Sequence, residues 1–124
     1  MKLQINAEDI LNRIENHPVI PKLIKYLYIK TINSSVGTTI KEIEKELLVE
    51  SRVKVKVKKS EYKFVKKYTN IDRKKAEKYI DILYYMLLID VDWSYPPYKF
   101  IKLNNNGLII SELLDKKRVN ERRG

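Results

Sequence analysis

The sequence predicts an α+β protein that is mainly helical, and three features of the chain predict this class. Apolar residues recur every three or four positions through most of the first fifty residues, which is the period of amphipathic helices. At Arg52 the period changes to two, because Val53, Val55 and Val57 alternate with lysines, and this alternation indicates a strand. Two further strand-like runs, "IDVDWS" and "YKFIKL", are joined by "SYPP", whose prolines fit the tip of a hairpin.

Three helices are predicted in the N-terminal half. The run "AEDILNRIEN" has helical spacing and ends at the His-Pro pair of residues 17–18. A second helix covers about residues 19–32, and the turn residues of "NSSVGTT" follow it, with room for one very short strand. Thr39 and Glu42 have the spacing of a capping box, so a third helix is predicted over residues 39–48.

Three more helices are predicted in the C-terminal half. A helix over residues 60–68 has a serine at its N-cap and apolar residues at helical spacing. Asn70 ends it in a tight turn, because asparagine tolerates a left-handed backbone. An aspartate N-cap then opens a long helix over residues 72–89. A last helix, over residues 105–118, follows the hairpin and has basic residues at its end, where they favour the helix dipole.

The net charge of +10 is concentrated in one segment of the chain. Residues 52–78 hold twelve basic side chains against three acidic ones, whereas residues 1–51 are balanced and residues 79–124 carry a net charge of +1. Such a local excess is typical of a surface that binds a polyanion. Lysines on an edge strand also prevent sheets from pairing edge to edge, and a charged helix face can simply be solvated. We expect a nucleic-acid interface in this segment.

The segment "SEYKFVKKYTNIDRKKAEKYIDIL" resembles a helix-turn-helix motif. Val65 lies where that motif has a small apolar residue, Asn70 where it often has glycine, Ile71 where it has an aliphatic residue, and Asp72 at the cap of the recognition helix. The later segment "LLIDVDWSYPPYKFIKLNNNGLIISELL" resembles the wing and the following helix of winged helix-turn-helix proteins. The resemblance to this family covers about residues 19–115.

The resemblance implies one winged helix-turn-helix domain with an extra N-terminal helix and a C-terminal helix. Its parts would be residues 1–124 as a single domain, 1–18 as a helical extension, 72–89 as the recognition helix, 90–104 as the wing and 105–118 as the C-terminal helix. Two alternatives stay open for the first helix of the motif, residues 60–68 and residues 39–48. In the second case residues 49–71 form a basic insertion between the two helices.

The resemblance also implies that the recognition helix faces the major groove of DNA. Arg73 is the one arginine at its start, and a guanidinium can make a bidentate contact to guanine, whereas lysine mostly meets phosphate. The predicted DNA-binding residues are Arg73, Lys74, Lys75 and Lys78 in this helix, Lys54, Lys56, Lys58, Lys59, Lys63, Lys66 and Lys67 before it, and Lys99 and Lys102 on the wing. The aromatic residues Trp93, Tyr95 and Tyr98 are expected to pack within the hairpin instead of stacking on bases.

The run "ILYYMLLI", residues 82–89, is apolar on nearly every side of a helix. Such a helix must be covered, either by the N-terminal helices or by a second subunit. A homodimer is favoured, because two-fold symmetric proteins read palindromic sites.

Catalytic functions are disfavoured by what the chain lacks. It has no cysteine, which excludes disulfides, thiolate zinc sites and cysteine nucleophiles, and His17 is its one histidine. The run "SSVGTT" lacks the lysine of a phosphate loop, and Asp90 and Asp92 fit a solvated strand face better than a metal pair. We therefore expect no enzyme activity, no cofactor and no small-molecule ligand.

A membrane location is also disfavoured. No run approaches about eighteen apolar residues and the start of the chain lacks a signal peptide, so the cytoplasm is the expected location. The lysine-valine alternation lacks the aromatic anchors expected at a membrane surface.

These observations predict a sequence-specific protein that binds double-stranded DNA and regulates transcription. Two alternatives stay open: a module of a replication or RNA-processing assembly, and a winged helix used only for protein contacts. Single-stranded RNA is expected to bind less well than duplex DNA, because the aromatic residues look mostly like core residues. The richness in Ile, Lys and Tyr resembles proteins of heat-loving archaea, their viruses and plasmids, and also of low-GC bacteria.

Overall fold

The computed structural model describes the backbone of residues 6–123 and the side chains through Lys117. In order, its elements are α1 (Ala7–Ile14), α2 (Ile20–Asn33), α3 (Ile40–Glu46), β1 (Leu48–Lys58), β2 (Glu61–Asn70), α4 (Arg73–Tyr85), β3 (Ile89–Tyr95), β4 (Tyr98–Leu103) and α5 (Asn105–Arg123). The strands form two separate antiparallel hairpins, β1 with β2 and β3 with β4. The predicted α+β class is confirmed. Residues 1–5 of the predicted N-terminal extension lie outside the described residues.

The hydrophobic core is built mainly around α2, which packs against β4 and α5, while α3 packs against α4 and α1 against α5. The largest fully buried apolar side chains are Ile14, Leu23, Ile24, Leu27, Ile43, Ile80, Leu83, Leu88, Ile101 and Ile110. Each such side chain contributes about 1.5 to 3 kcal/mol when it leaves water. An ion pair between Lys117 and Glu15 joins α5 to α1.

His17 caps the helix that follows it. Its Nδ1 accepts hydrogen bonds from the backbone N–H groups of Val19 at 3.0 Å and Ile20 at 3.1 Å. These donors have no intrahelical partner at the start of α2. Burial lowers the pKa of His17, and Lys78 lowers it further. The imidazole is therefore held in the neutral form, which is the form that can accept at Nδ1.

The very short strand predicted after α2 is present at Thr38. Its backbone pairs with Ile101 of β4 through two hydrogen bonds of 2.8 and 2.7 Å. Gly37 precedes it with a φ of +85°, and a Cβ there would lie 2.1 Å from the carbonyl oxygen of Ile101. Only glycine fits this close approach. The short strand therefore extends the β3–β4 sheet to a third chain segment.

The predicted capping box at α3 is half formed. Thr39 accepts a hydrogen bond from the backbone N–H of Glu42 at 3.3 Å, as predicted. The carboxylate of Glu42 instead accepts from the hydroxyl of Thr38 at 2.9 Å and pairs with Lys30 at 3.5 Å. Lys30 also pairs with Glu46 at 2.9 Å, so these contacts fix α3 against α2.

The prediction of a helix over residues 60–68 is wrong, because this segment is strand β2. It pairs with β1 in a register that sets Val53 opposite Val65 and Lys54 opposite Phe64. Ser60 lies in the turn between the strands. Alternating aromatic, β-branched and lysine side chains suit a strand that has a partner, and a helix this short is marginal without tertiary packing. Of the two alternatives for the first helix of the motif, only residues 39–48 contain a helix.

The helix predicted over residues 39–48 ends earlier than expected. Leu47 caps α3 in an extended conformation, and Leu48 already begins β1. Asn70 does not form the predicted left-handed turn but ends β2. Its side-chain amide donates to the carbonyl oxygens of Glu44 at 3.0 Å and Lys45 at 2.7 Å. It therefore satisfies two carbonyl groups that the end of α3 leaves unpaired.

The long helix predicted over residues 72–89 is shorter, although Asp72 caps it as predicted. It ends at Tyr85, and Leu87 adopts a left-handed backbone with a φ of +62°. The N–H of Leu88 then bonds to the carbonyl of Leu83 at 3.1 Å, a Schellman arrangement that closes the helix. The residues after this turn enter β3. The hairpin predicted over residues 90–104 is present, and α5 begins where predicted but continues to Arg123.

Candidate nucleic-acid interface

The β1–β2 hairpin extends from the helical body at the point where α3 ends and α4 begins. Its root is held by the buried side chains of Val49 and Ile71, and the backbone N–H of Ile71 bonds to the carbonyl of Leu47 at 3.0 Å. All residues from position 56 to 68 are exposed. Residues 48–70 carry eight basic side chains and two acidic ones, so this hairpin has a net charge of +6.

One face of the hairpin is apolar with a basic border. Residues that pair directly across an antiparallel ladder share a face. The valine face therefore contains Val53 opposite Val65 and Val55 opposite Lys63, with Lys67 nearer the root. Val53 and Val55 are half-buried within the hairpin.

The opposite face alternates aromatic and basic side chains, and we call it the aromatic-basic face. Its members are Glu50, Arg52, Lys54, Lys56, Tyr62, Phe64, Lys66 and Tyr68. Lys54 Nζ lies 4.3 Å from the ring centroid of Tyr62, and Lys22 Nζ of α2 lies 4.3 Å from that of Tyr68. Glu50 pairs with Lys66 at 3.5 Å. Cations thus lie beside two of the three rings.

The start of α4 presents the predicted helix residues to solvent. Arg73, Lys74, Lys75 and Lys78 are all exposed in its first two turns. Arg73 Nε donates to Glu77 Oε1 at 3.0 Å, and this hydrogen bond raises the pKa of the arginine. An exposed pair of this kind contributes little and is easily exchanged for a ligand. Arg73 is therefore available for an anion, although it has a competing partner on its own helix.

A groove of about 890 Å³ separates the start of α4 and helix α3 from the β3–β4 hairpin. It brings Arg73 and Lys99, two of the predicted residues, to one site. Three carboxylates also line it, those of Glu42, Glu44 and Glu77. The groove is thus mixed in charge, whereas the β1–β2 hairpin has eight basic side chains and only two acidic ones.

The β3–β4 hairpin offers fewer cations. Lys99 Nζ lies 5.4 Å from the ring of Trp93, and Lys102 is exposed opposite Asp90. Tyr95 and Tyr98 contact Phe100, with ring centroids 6.2 and 6.5 Å apart, yet both rings remain mostly exposed. Packing within this hairpin therefore leaves its aromatic surface largely accessible.

The two aspartates of β3 have local partners. Hydrogen bonds from the side chain and the backbone of Ser94 lower the pKa of Asp92. The backbone N–H of Ser94 donates to Asp92 Oδ1 at 2.8 Å. Asp90 faces Lys102 across the ladder. Within the described residues, no group of three or more potential His, Asp or Glu ligands could hold a metal ion.

The predicted DNA-binding residues do not form one continuous surface. Lys54, Lys56 and Lys66 lie on the aromatic-basic face, Lys63 and Lys67 lie on the valine face, and Lys58 and Lys59 lie at the tip. The residues predicted from the sequence did not include Arg52, Tyr62, Phe64 and Tyr68, which share a face with Lys54, Lys56 and Lys66, because the three aromatic residues were placed on a helix. Tyr62, Phe64, Lys66 and Tyr68 lie at every second position, and this alternation would have indicated one face of a strand.

The apolar run of residues 82–89 is only partly covered. Leu83, Leu88 and Ile89 are buried, whereas Tyr84 and Tyr85 are exposed at the end of α4. The predicted homodimer stays a prediction.

No helix in the described part of the chain is long and apolar enough to cross a membrane. Comparisons with protein-family models, with curated proteins and with solved structures returned no significant match.

Proposed function

We propose that this chain is a winged-helix protein that binds double-stranded DNA and regulates transcription. The order of α2, the short strand at Thr38, α3, α4 and the β3–β4 hairpin supports the fold assignment. In this interpretation α4 is the recognition helix and β3–β4 is the wing. The β1–β2 hairpin is then a basic insertion between the two helices of the motif.

The observation that carries the proposal is the position of the charge. A hairpin of net charge +6 begins next to the N-terminus of α4, where four further basic side chains are exposed. Duplex DNA presents closely spaced phosphates, so cations on adjoining elements gain by releasing counterions. The Coulomb attraction favours a polyanion over a neutral partner.

The first test is the salt dependence of binding to a 20-base-pair duplex, measured by fluorescence anisotropy. If the two elements together contact about six phosphates, log affinity is expected to fall against log salt with a slope of roughly −5. The Lys58→Gln, Lys59→Gln pair at the hairpin tip removes two charges, and the matched control Lys25→Gln, Lys116→Gln removes two exposed charges elsewhere. A flat salt response, or equal losses in the two variants, would contradict the proposal.

The second test separates a regulator from a general binder. Selection from random duplexes should enrich one sequence, and a palindrome would support the homodimer. On that site Arg73→Ala is expected to lose about 1 to 3 kcal/mol, and much less on random DNA, because a bidentate base contact exists only in the specific complex. Lys56→Ala should weaken both kinds of DNA about equally. Enrichment of no sequence would contradict the regulatory role while leaving DNA binding intact.

A further inference from the structure

The three rings on the aromatic-basic face are not used by the fold. Tyr62, Phe64 and Tyr68 are 54%, 67% and 64% exposed, and all three lie on one strand at a spacing of two or four residues. Single exposed apolar residues are ordinary, but a row of rings on one face is typical of a binding surface. The expectation that the aromatic residues belong to the core is therefore wrong for this hairpin.

We propose that the aromatic-basic face binds single-stranded nucleic acid. Unpaired bases stack on Tyr62, Phe64 and Tyr68, while Arg52, Lys54, Lys56 and Lys66 bind the phosphates. This goes beyond duplex binding, because the bases of an intact duplex are already stacked on one another and offer the rings no free face. Aromatic platforms beside cations are the usual means of holding single strands.

The register sets rings and cations in rows across the hairpin. Lys56 lies opposite Tyr62, Lys54 opposite Phe64, and Arg52 opposite Lys66. Successive rows on one face are two residues apart, which is about 6.7 Å along a strand. An extended strand can therefore run along the hairpin with its bases on the rings of β2 and its phosphates near the cations of β1 and near Lys66, which lies opposite Arg52.

The cations near the rings leave room for a base. The Nζ atom of Lys54 lies 4.3 Å from the centroid of the Tyr62 ring, and the Nζ atom of Lys22 lies 4.3 Å from that of the Tyr68 ring. A cation over one face of a ring leaves the other face for stacking, and it places positive charge next to the phosphate of the stacked nucleotide. Glu50 lies opposite Tyr68 in the next row toward the root and is the one acidic residue on this face, and Lys66 already pairs with it at 3.5 Å.

The charge of the hairpin argues against a second copy of the chain as the occupant of this face. A second copy would bring another net charge of +6 against the first, which like-charge repulsion opposes. The valine face serves as an internal comparison, because Lys63 and Lys67 give it charge but its apolar side chains are valines. If charge alone held the ligand, removing two lysines from either face would weaken binding about equally.

The test uses the full chain and three labelled probes: a 20-nucleotide dT strand, a 20-nucleotide rU strand and a blunt 20-base-pair duplex. Phe64→Ala is expected to weaken binding of dT by roughly 5- to 150-fold, which is the usual range for loss of one stacking ring. The matched control is Val65→Ala, the next residue on the same strand but on the valine face. It should change dT binding by less than about twofold, and neither variant should alter duplex binding much.

A second pair of variants separates the two faces by charge. The Lys54→Gln, Lys56→Gln pair should weaken dT binding and flatten its salt dependence by roughly 0.7 per phosphate contact. The Lys63→Gln, Lys67→Gln pair removes the same charge from the valine face and should do so much less. Circular dichroism and thermal unfolding establish that each variant is folded.

Loss of both dT and rU binding on Phe64→Ala supports the proposal, and the ratio between the two probes tells whether the 2′-hydroxyl is also read. Three results would overturn it. These are a failure of the unchanged chain to bind dT at all, binding of dT by Phe64→Ala as tight as by the unchanged chain, and a loss of dT affinity in Val65→Ala as large as in Phe64→Ala. Duplex binding is measured separately. Its absence would contradict the proposed DNA-regulatory function and would not affect the proposal that the aromatic-basic face binds single strands.

Discussion

Excision of the β1–β2 hairpin above its root is expected to separate folding from binding. Replacing residues 52–66 by a two-residue Asn-Gly turn keeps Ser51 and Thr69, whose hydroxyl groups are 2.7 Å apart. It also keeps the buried side chains of Val49 and Ile71. The removed residues contribute nothing to the buried core cluster, and a two-stranded hairpin is marginal by itself. The free energy of unfolding should therefore change by no more than about 1 kcal/mol, or roughly 4 °C in Tm.

The same excision should change binding strongly. Residues 52–66 contain seven basic side chains and one acidic one, so the net charge falls by six. Four of these cations lie on the aromatic-basic face. If each meets one phosphate, the salt slope should fall by about 3 to 4 units on duplex DNA and by about 3 on a single strand. Anisotropy titrations from 50 to 400 mM salt measure both slopes, and differential scanning calorimetry measures Tm.

The control for charge is the triple variant Arg13→Gln, Lys25→Gln, Lys116→Gln, which removes exposed cations from helices α1, α2 and α5. It should change each slope by less than one unit. An excised chain that fails to fold would refute the view that the hairpin is peripheral to the core. A folded excised chain with an unchanged salt slope would refute the assignment of its cations to phosphate contact.

Three further predictions concern the fold. Because burial lowers the pKa of His17, its cap is fully formed above the ordinary value of about 6.5 and is lost as pH falls from there through the lowered folded pKa. His17→Ala should lower the free energy of unfolding by about 1 kcal/mol at pH 7.5 and should reduce its pH dependence between pH 5 and 7, as measured by urea unfolding. A variant with an unchanged pH dependence would refute the cap. Leu87→Gly should raise the free energy of unfolding by about 0.5 to 1 kcal/mol, because glycine adopts the φ of +62° without strain. A lower free energy of unfolding in urea would mean that the leucine packs better than its 40% exposure indicates. Gly37→Ala should cost at least about 2 kcal/mol in the same assay, since the new Cβ meets the carbonyl of Ile101, and a neutral result would show that the short strand can move.

Local patterns sufficed for much of the structure. The apolar spacing and the cap at Thr39 placed α3, and Asp72 placed the start of α4 to the residue. These features depend on hydrogen bonds between residues three or four apart, so the signal lies within one short window. The concentration of charge in residues 52–78 was equally readable, because composition does not depend on the fold.

The identity of residues 60–68 was decided by tertiary structure. Phe64, Val65 and Tyr68 fit a helical stripe, while Tyr62, Phe64 and Tyr68 fit one face of a strand equally well. A helix satisfies its backbone within the segment, whereas a strand must find a partner, and here the partner is β1 in a register that no local window contains. Composition alone establishes that this region is basic and aromatic. Only the pairing with β1 decided that its rings and its cations share one exposed face, because cross-strand pairing sets which side chains become neighbours.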